Sequence, residues 1–542
     1  MKLWMSGLLA ASAALLAACG QSGDQTSAGT DQTASAEPMT CEELAGLTLP
    51  ETTISSAVVV PAGPFEVPGG GPRIPGASAP PPAEVPSFCR VSGVIAPDNH
   101  FEVWLPMKDV WNGRFQMVGG GGLAGNLTYN SFGSAMGALI PNVKAGYATA
   151  STDTGHVASD YTWLRDPAKV IDYGYRSIHE TAVKSKAILA AFYGRPADYN
   201  YFNGCSTGGR QGLMEAQRYP DDFDGIVSGA PVNWFVKTHV TQLWMQRAAQ
   251  RSPAYTLSPE NLATINKAVM AQCDAMDGLK DGLLNDPRAC NFDPGTLLCK
   301  KGQTSDCLTA EQIDTAREFY KGPVDPKTGE AYWVGMEPGS EAPMGFIHGW
   351  TFELASPDGP TDIPKHYFGD MVFQDDNWDW KTFDFDKDIQ TTEERTGQIL
   401  NAIDPNLDAF SGHGGKLILY HGWDDPLIFP AGTVRYYGEV VDHEKAKGAE
   451  DPTAAAQAYA RLFMVPGMGH CRGGPEATDN FDAQSAVEAW VEKGEAPDRI
   501  LASHKYSDGK PDRTRPLCPY PAVAKYDGQG DSDKAESFSC AQ

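Results

Sequence analysis

The 542-residue sequence predicts an α/β fold with a mainly parallel sheet and one large insertion, on three observations. Short strand-like runs alternate with helical periods between Phe101 and Ala230. The same texture resumes at Lys416. Between them, from about 233 to 403, the chain is rich in Pro, Gly, Asp and aromatic residues and holds four cysteines, which reads as an inserted lid.

Taken in order, residues 1–18 read as a signal peptide. Lys2 gives a positive start, and the apolar run from Leu8 to Ala18 is too short to span a bilayer. Leu16-Ala17-Ala18-Cys19-Gly20 looks like a lipobox, which predicts cleavage before Cys19 and lipidation of its thiol. Residues 19–40 are then a flexible tether, rich in Ser, Thr, Gly, Ala, Asp and Gln without an apolar period. The expected location is outside the cytoplasm, as a periplasmic or outer-membrane lipoprotein that meets the membrane only through its lipid anchor.

Residues 41–232 are the first part of the core. Phe101-Glu102-Val103-Trp104-Leu105 alternates like a strand with one wet face, and Arg114 to Val118 and Tyr147 to Thr152 read as two more. Tyr175 to Tyr193 carries a helical apolar period. Tyr199 to Phe202 is strand-like, Arg210 to Arg218 helical, and Ile226 to Ala230 a strand. Residues 233–403 form the lid and 404–542 the second part of the core. In that part Lys416 to Tyr420 and Arg461 to Val465 are strands, and Ala483 to Glu492 is a helix.

The motifs fall at the ends of these elements. Gly204-Cys205-Ser206-Thr207-Gly208 has the nucleophile-elbow pattern, with a strand before it and a helix after it. A later strand ends in Asp424-Asp425-Pro426, and the next in Gly467-Met468-Gly469-His470. Serine, acid and histidine thus follow the chain order of an α/β-hydrolase. Each residue type has a task. A serine hydroxyl needs a base, a histidine with an unperturbed pKa near 6.5 can be that base, and a carboxylate fixes its tautomer. The spacing leaves Asp424 and Asp425 both open. The run Gly119 to Gly122 after a strand supplies the second oxyanion element beside the Thr207 N–H.

Charge and cysteines bound the function further. A formal charge of −26 without a basic cluster excludes a nucleic-acid partner. Without Cys19, ten cysteines remain, an even number that implies disulfides in an exported chain. Local spacing suggests Cys273–Cys290, Cys299–Cys307 and Cys518–Cys540. Cys205 precedes the serine and Cys471 follows the histidine, so a bridge between them would hold both side chains together. Zinc lacks a Cys-x-x-Cys or His-Glu-x-x-His pattern here, and no organic cofactor is expected. Asp274, Asp277 and Asp281, with Gly278 and Gly282 between and after them, suit a hard cation.

Gly-Cys-Ser-x-Gly-Gly-Arg at 204–210, His-Gly-x-x-Asp-Pro at 421–426 and Pro-Gly-Met-x-His-Cys at 466–471 together resemble the tannase/feruloyl esterase family. The resemblance runs from Cys41 to Cys540 and includes Thr514-Arg515-Pro516-Leu517-Cys518-Pro519-Tyr520-Pro521. It implies an α/β-hydrolase core with a large inserted lid domain. It implies a triad of Ser206, Asp425 and His470, with Asp425 chosen because the family's acid directly precedes the Pro position. It also implies the backbone N–H groups of Gly122 and Thr207 as oxyanion donors, and five bridges, 41–89, 205–471, 273–290, 299–307 and 518–540. A structural Ca2+ would be held by Asp274, Asp277 and Asp281 through their carboxylates and by Leu279 and Leu283 through their carbonyls.

The expected function is a secreted serine esterase acting on small aromatic esters, hydroxycinnamoyl or galloyl. Two alternatives are a terephthalate-monoester hydrolase of the same family and a noncatalytic calcium-dependent binding lipoprotein. Lid aromatics including Trp234, Trp244, Trp333, Phe346, Trp350, Phe352, Tyr367, Phe368 and Phe373 are candidates for the substrate wall. The sequence specifies no oligomeric state.

Overall fold

The computed structural model describes residues 37–68, 82–131, 133–342, 349–351, 362–506 and 512–542. The expected signal peptide, Cys19 and most of the tether lie outside these residues, as do Phe346 and Phe352.

Nine strands build one sheet among the described residues. They are β1 (Thr52–Val60), β2 (Phe88–Ile95), β3 (Asn99–Pro106), β4 (Arg114–Val118), β5 (Ala148–Thr152), β6 (Tyr199–Cys205), β7 (Gly225–Gly229), β8 (Lys416–Gly422) and β9 (Ala460–Val465). Their order is β1-β2-β3-β5-β4-β6-β7-β8-β9. From β5 to β9 every pairing is parallel. The other edge is antiparallel: β1 with β2, β2 with β3, and β3 with β5. The reason is local. Only Ala96, Pro97 and Asp98 join β2 to β3, enough for a hairpin and too few for a crossover.

Central strands are buried on both faces, as a parallel sheet requires; all of β7 is buried. The covering helices include α1 (Ser177–Tyr193) and α2 (Thr207–Arg218). The helix expected from Tyr175 begins as an α-helix at Ser177, after a wider π-turn over Asp172–Arg176. The one expected from Arg210 starts at Thr207, directly after Ser206.

Between β7 and β8 the described chain adds no strand to this sheet. It holds α3 (Phe235–Ala249), α4 (Pro259–Cys273) and α5 (Ala310–Lys321). Ser258 and Thr309 close capping boxes at the starts of α4 and α5, which fixes where each helix begins. Trp234, Leu262, Ile265, Phe319, Trp333 and Trp350 form an apolar cluster of their own. The two crossings to this region touch, because the Ala402 N–H donates to the Asn233 carbonyl at 2.9 Å. After it come α6 (Pro430–Ala446) and α7 (Ala483–Lys493).

All five expected bridges are formed: Cys41–Cys89, Cys205–Cys471, Cys273–Cys290, Cys299–Cys307 and Cys518–Cys540. Cys41–Cys89 anchors the start of the described chain to β2. Two bridges brace the loops after α4, and one ties the C-terminal strand.

The tightest packing is where β6 turns into α2. A Cβ on Gly209 would lie 2.2 Å from the Gly229 carbonyl oxygen, and one on Gly204 would lie 2.7 Å from the Gly208 backbone. Neither obstacle is a movable side chain. Gly209→Ala should therefore destabilise the fold by about 1–3 kcal/mol or more, the range for overpacking. Urea unfolding checks this; an unchanged midpoint would show that β7 and α2 can separate.

Candidate active site

Ser206 sits between β6 and α2 with φ 63° and ψ −122°, a conformation that a non-glycine residue adopts only under constraint. The constraint is visible. Its N–H donates to the Gly229 carbonyl at 3.0 Å, and its carbonyl accepts from Arg210 at 3.0 Å and from Val232 at 3.3 Å. The strained residue is thus held by both neighbouring segments, and its side chain projects from the C-terminal end of the parallel strands.

Asp425 follows β8 and His470 follows β9. His470 Nδ1 lies 2.7 Å from Asp425 Oδ2. An ionised carboxylate only accepts, so Nδ1 carries the hydrogen and Nε2 is left as a base. Asp425 is held on every side. Oδ1 accepts from the N–H groups of Leu427 at 2.9 Å and Ile428 at 3.0 Å. Oδ2 also accepts from His421 Nε2 at 3.1 Å, and His421 Nδ1 is fixed by the Thr433 hydroxyl at 2.8 Å. Burial opposes ionisation of Asp425, but the charge of His470 and the hydrogen bonds from His421 and His470 outweigh it and hold the carboxyl below its usual range. Its neighbour Asp424 is separated from this set. Burial, followed by the charges of Glu341 and Glu337, pushes Asp424 well above the usual carboxylate range. The structure thus distinguishes the two aspartates that spacing left open. His421 and Thr433 are additions; His421 stood in the quoted motif, and its contact with Asp425 is the i,i+4 turn at the end of β8.

The Cys205–Cys471 bridge brings the elbow and the histidine loop to a Cα–Cα distance of 6.1 Å. Thr207 is the first residue of α2, where an N–H has no acceptor within the helix. Gly122 has φ 57° in a turn closed by the Ala124 N–H, which donates to the Gly121 carbonyl at 2.8 Å. In a trans peptide the N–H points opposite to the carbonyl, so the Gly122 N–H faces away from that bond. The Thr207 hydroxyl donates to the Gly122 carbonyl and joins the two segments.

Two cavities meet here. Both are walled by Gly122, Ser206 and His470. The narrower, about 190 Å³, adds Tyr173, Val232, Phe235, His239 and Ile428. Burial pushes His239 down to about 4, so it is neutral at ordinary pH. The wider, about 340 Å³, adds Asn126, Thr128, Tyr129, Asn130 and Arg472. The described lid aromatics among those expected as walls do not line either cavity. Trp234, Trp333 and Trp350 fill the lid's own cluster, with Trp244 packed against it, while Tyr367 and Phe368, with Phe373 against them, fill a second cluster. The first cluster is the lid's own core, whereas the second also holds Tyr173 and Phe235, so Tyr367 and Phe368 pack behind the narrower cavity's wall.

The acidic loop gathers most of its expected ligands. Asp277, Leu279, Asp281 and Leu283 wall one small cavity of about 20 Å³, room for a single water-sized particle. Asp274 is not among its walls; its Oδ1 accepts from the N–H groups of Asp281 at 3.1 Å and Gly282 at 2.9 Å. Asp281 Oδ2 pairs with Arg515 at 2.7 Å. Burial raises the Asp277 pKa; the N–H groups of Leu279 and Asn285 oppose it, and the charges of Asp281 and Asp274 add to it. Carboxylate and carbonyl oxygens are the donor chemistry of a hard cation, and the Arg515 guanidinium shares the wall of this cavity.

Comparison with known proteins places this geometry. The family model described as tannase and feruloyl esterase matches residues 83–541. The chain is 41% identical to an uncharacterised esterase of Xanthomonas campestris, over 92% of this chain and 91% of that one. It is 34% identical to the mono(2-hydroxyethyl) terephthalate hydrolase of Piscinibacter sakaiensis, over 85% of each. Among solved structures it resembles feruloyl esterase B of Aspergillus oryzae, with a TM-score of 0.81 and 26% identity over 93% of this chain and 100% of that one.

The separation of the two aspartates has a direct consequence. Asp425→Asn should lower kcat on a chromogenic ester by about 10⁴-fold, the cost of losing the tautomer-fixing carboxylate. Asp424→Asn should cost far less in the same assay. Equal losses would mean that Asp424 shares the role.

Proposed function

The chain belongs to the tannase and feruloyl esterase family and is a carboxylic ester hydrolase, and from that premise we propose that it cleaves aromatic esters through an acyl-enzyme on Ser206. In this reading His470 Nε2 takes the Ser206 proton as Oγ bonds to the ester carbon. The oxyanion that forms is bound by the Gly122 and Thr207 N–H groups. Collapse breaks the bond to the alcohol, which leaves with the proton held by His470. A water then repeats the sequence and frees Ser206. The single observation that carries the reading is His470 Nδ1 at 2.7 Å from a buried, ionised Asp425, on a loop bridged to the Ser206 elbow.

The aromatic acyl group is assigned to the narrower cavity, whose wall includes Tyr173 and Phe235. No Lys or Arg stands among the described residues of its wall, and His239 is neutral. Lys365, on the lid, is exposed and is not in that wall. Hydroxycinnamoyl or galloyl groups need no cation, whereas a terephthalate monoester would bring an unpaired carboxylate. Export, with the lipid anchor at Cys19, is part of the proposal; five disulfides support an oxidising compartment.

Methyl ferulate or methyl gallate should exceed mono(2-hydroxyethyl) terephthalate in kcat/KM by about tenfold or more, the worth of one charge-assisted contact. Ser206→Ala should abolish turnover of all three, by on the order of a thousandfold or more. A better rate on the terephthalate monoester would overturn the assignment of the acyl group. Retained activity in Ser206→Ala would overturn the nucleophile.

We also propose that the acidic loop holds a structural Ca2+, through the carboxylates of Asp274, Asp277 and Asp281 and the carbonyls of Leu279 and Leu283. The cation would offset the burial that raises the Asp277 pKa and the smaller repulsion from Asp281 and Asp274. EDTA should then lower the Tm by about 1–2 °C, roughly what 1–2 kcal/mol of linkage gives in a chain of this length. Added calcium should restore it. An unchanged Tm, with no metal in the purified protein, would count against the site.

A further inference from the structure

The Gly122 N–H can serve an oxyanion only while the peptides on both sides of the residue keep their orientation. Gly122 has φ 57°, where glycine carries no strain but is also free to leave. The peptide before it is fixed by the Ala124 N–H, which donates to the Gly121 carbonyl at 2.8 Å. The peptide after it carries the Gly122 carbonyl, and two side chains converge on that oxygen. One is the Thr207 hydroxyl. The other is the Tyr173 hydroxyl, which donates at 3.2 Å from 51 residues away in the chain. A carbonyl oxygen has two lone pairs, so both bonds can form at once.

Tyr173 is itself held. It lies in the π-turn Asp172–Arg176 before α1 and is 1% exposed. Arg210, on α2 and wholly buried, donates through Nη2 to the Tyr173 carbonyl at 3.0 Å and through Nη1 to the Gly174 carbonyl at 2.8 Å. The same guanidinium lies 4.7 Å from the centre of the Tyr173 ring, a cation–π contact. The Trp163 and Phe235 rings pack on Tyr173 at centroid distances of 5.2 and 6.3 Å. Backbone and ring are thus both tied to α2, the helix that begins beside Ser206, and the hydroxyl reaches from there to the oxyanion turn.

Resting on the esterase reading above, we propose that Tyr173 is a positioning residue of the oxyanion site: its hydroxyl and that of Thr207 together clamp the Gly122 carbonyl and keep the Gly122 N–H in place. Tyr173 also walls the narrower cavity, beside Gly122 and Ser206. An acyl group packed in that cavity therefore bears on the residue that holds the oxyanion donor. Recognition of the acyl group then reaches the chemical step as well as binding.

Tyr173→Phe keeps the ring and removes the hydroxyl. It should lower kcat by about three- to tenfold on methyl ferulate and on 4-nitrophenyl acetate alike, the worth of one hydrogen bond. KM for methyl ferulate should stay within about twofold of the wild-type value, as expected for a contact that matters in the transition state. The Ki of an aryl trifluoromethyl ketone, which forms an oxyanion when Ser206 adds to it, should rise by the same factor as kcat falls. The Ki of ferulate, which forms none, should not change. Both inhibition constants are independent of the fraction of protein that folds. Tyr173→Phe combined with Thr207→Val should lose more than the product of the two single losses, because either hydroxyl alone still holds the carbonyl. An unchanged kcat and trifluoromethyl ketone Ki in Tyr173→Phe, or a loss confined to methyl ferulate, overturns the proposal and leaves the esterase reading standing. A wild-type protein that cleaves neither ester overturns that reading and this proposal with it.

Discussion

The Cys205–Cys471 bridge is the constraint on which the rest of the site depends. It joins two loops 266 residues apart in sequence, with the whole lid between them. In the chain-entropy account, closing a loop of that length removes on the order of 5 kcal/mol of freedom from the unfolded chain. Its local effect concerns function more directly. Residues 206 and 470 are the outer neighbours of the bridged pair, so neither can drift without straining it. Ser206 and Cys471 also have φ of 63° and 62°, positions that a chain leaves readily unless held. The bridge, the Gly229 carbonyl and the turn at Val232 together hold them.

A second constraint is electrostatic. Asp425 is fully enclosed, and an enclosed carboxylate is costly unless partners replace its water. Two imidazoles and two backbone N–H groups do so here. The next residue along the backbone illustrates the opposite outcome. Burial, followed by the like charges of Glu341 and Glu337, raises the Asp424 pKa instead. Adjacent buried aspartates are therefore shifted in opposite directions, Asp425 down by its hydrogen-bond partners and Asp424 up by burial without them. Nothing in the local sequence encodes that difference; it arises from the lid residues that pack over one side.

This explains what was legible beforehand. The elbow, the order of serine, acid and histidine, and the strands before them are local patterns, and Tyr199 to Phe202, Ile226 to Gly229 and Lys416 to Tyr420 appear as strands. The antiparallel edge from β1 to β3 was less visible, because a three-residue link is a weak signal beside strong strand patterns. Choosing Asp425 over Asp424 needed the family resemblance. The cavity walls were least legible: Tyr173, Phe235 and Arg472 come from three separate segments, and only the tertiary fold brings them to one place.

The lid aromatics follow the same logic to a different end. Trp234, Trp333 and Trp350 look like a substrate wall when read as a list of rings in a lid. A lid is also a small domain with its own apolar cluster, and large rings are the efficient way to fill one. With these rings used in packing, the cavity walls are built from other residues. Tyr173 belongs to the turn before α1, Phe235 opens α3, and Arg472 follows the histidine. Each is within a few residues of an element that the core or a disulfide fixes. The narrower cavity is therefore shaped by lid and core together: Phe235, His239, Gln242 and Ile363 of its wall lie between β7 and β8, while Tyr173, Ser206 and His470 belong to the core.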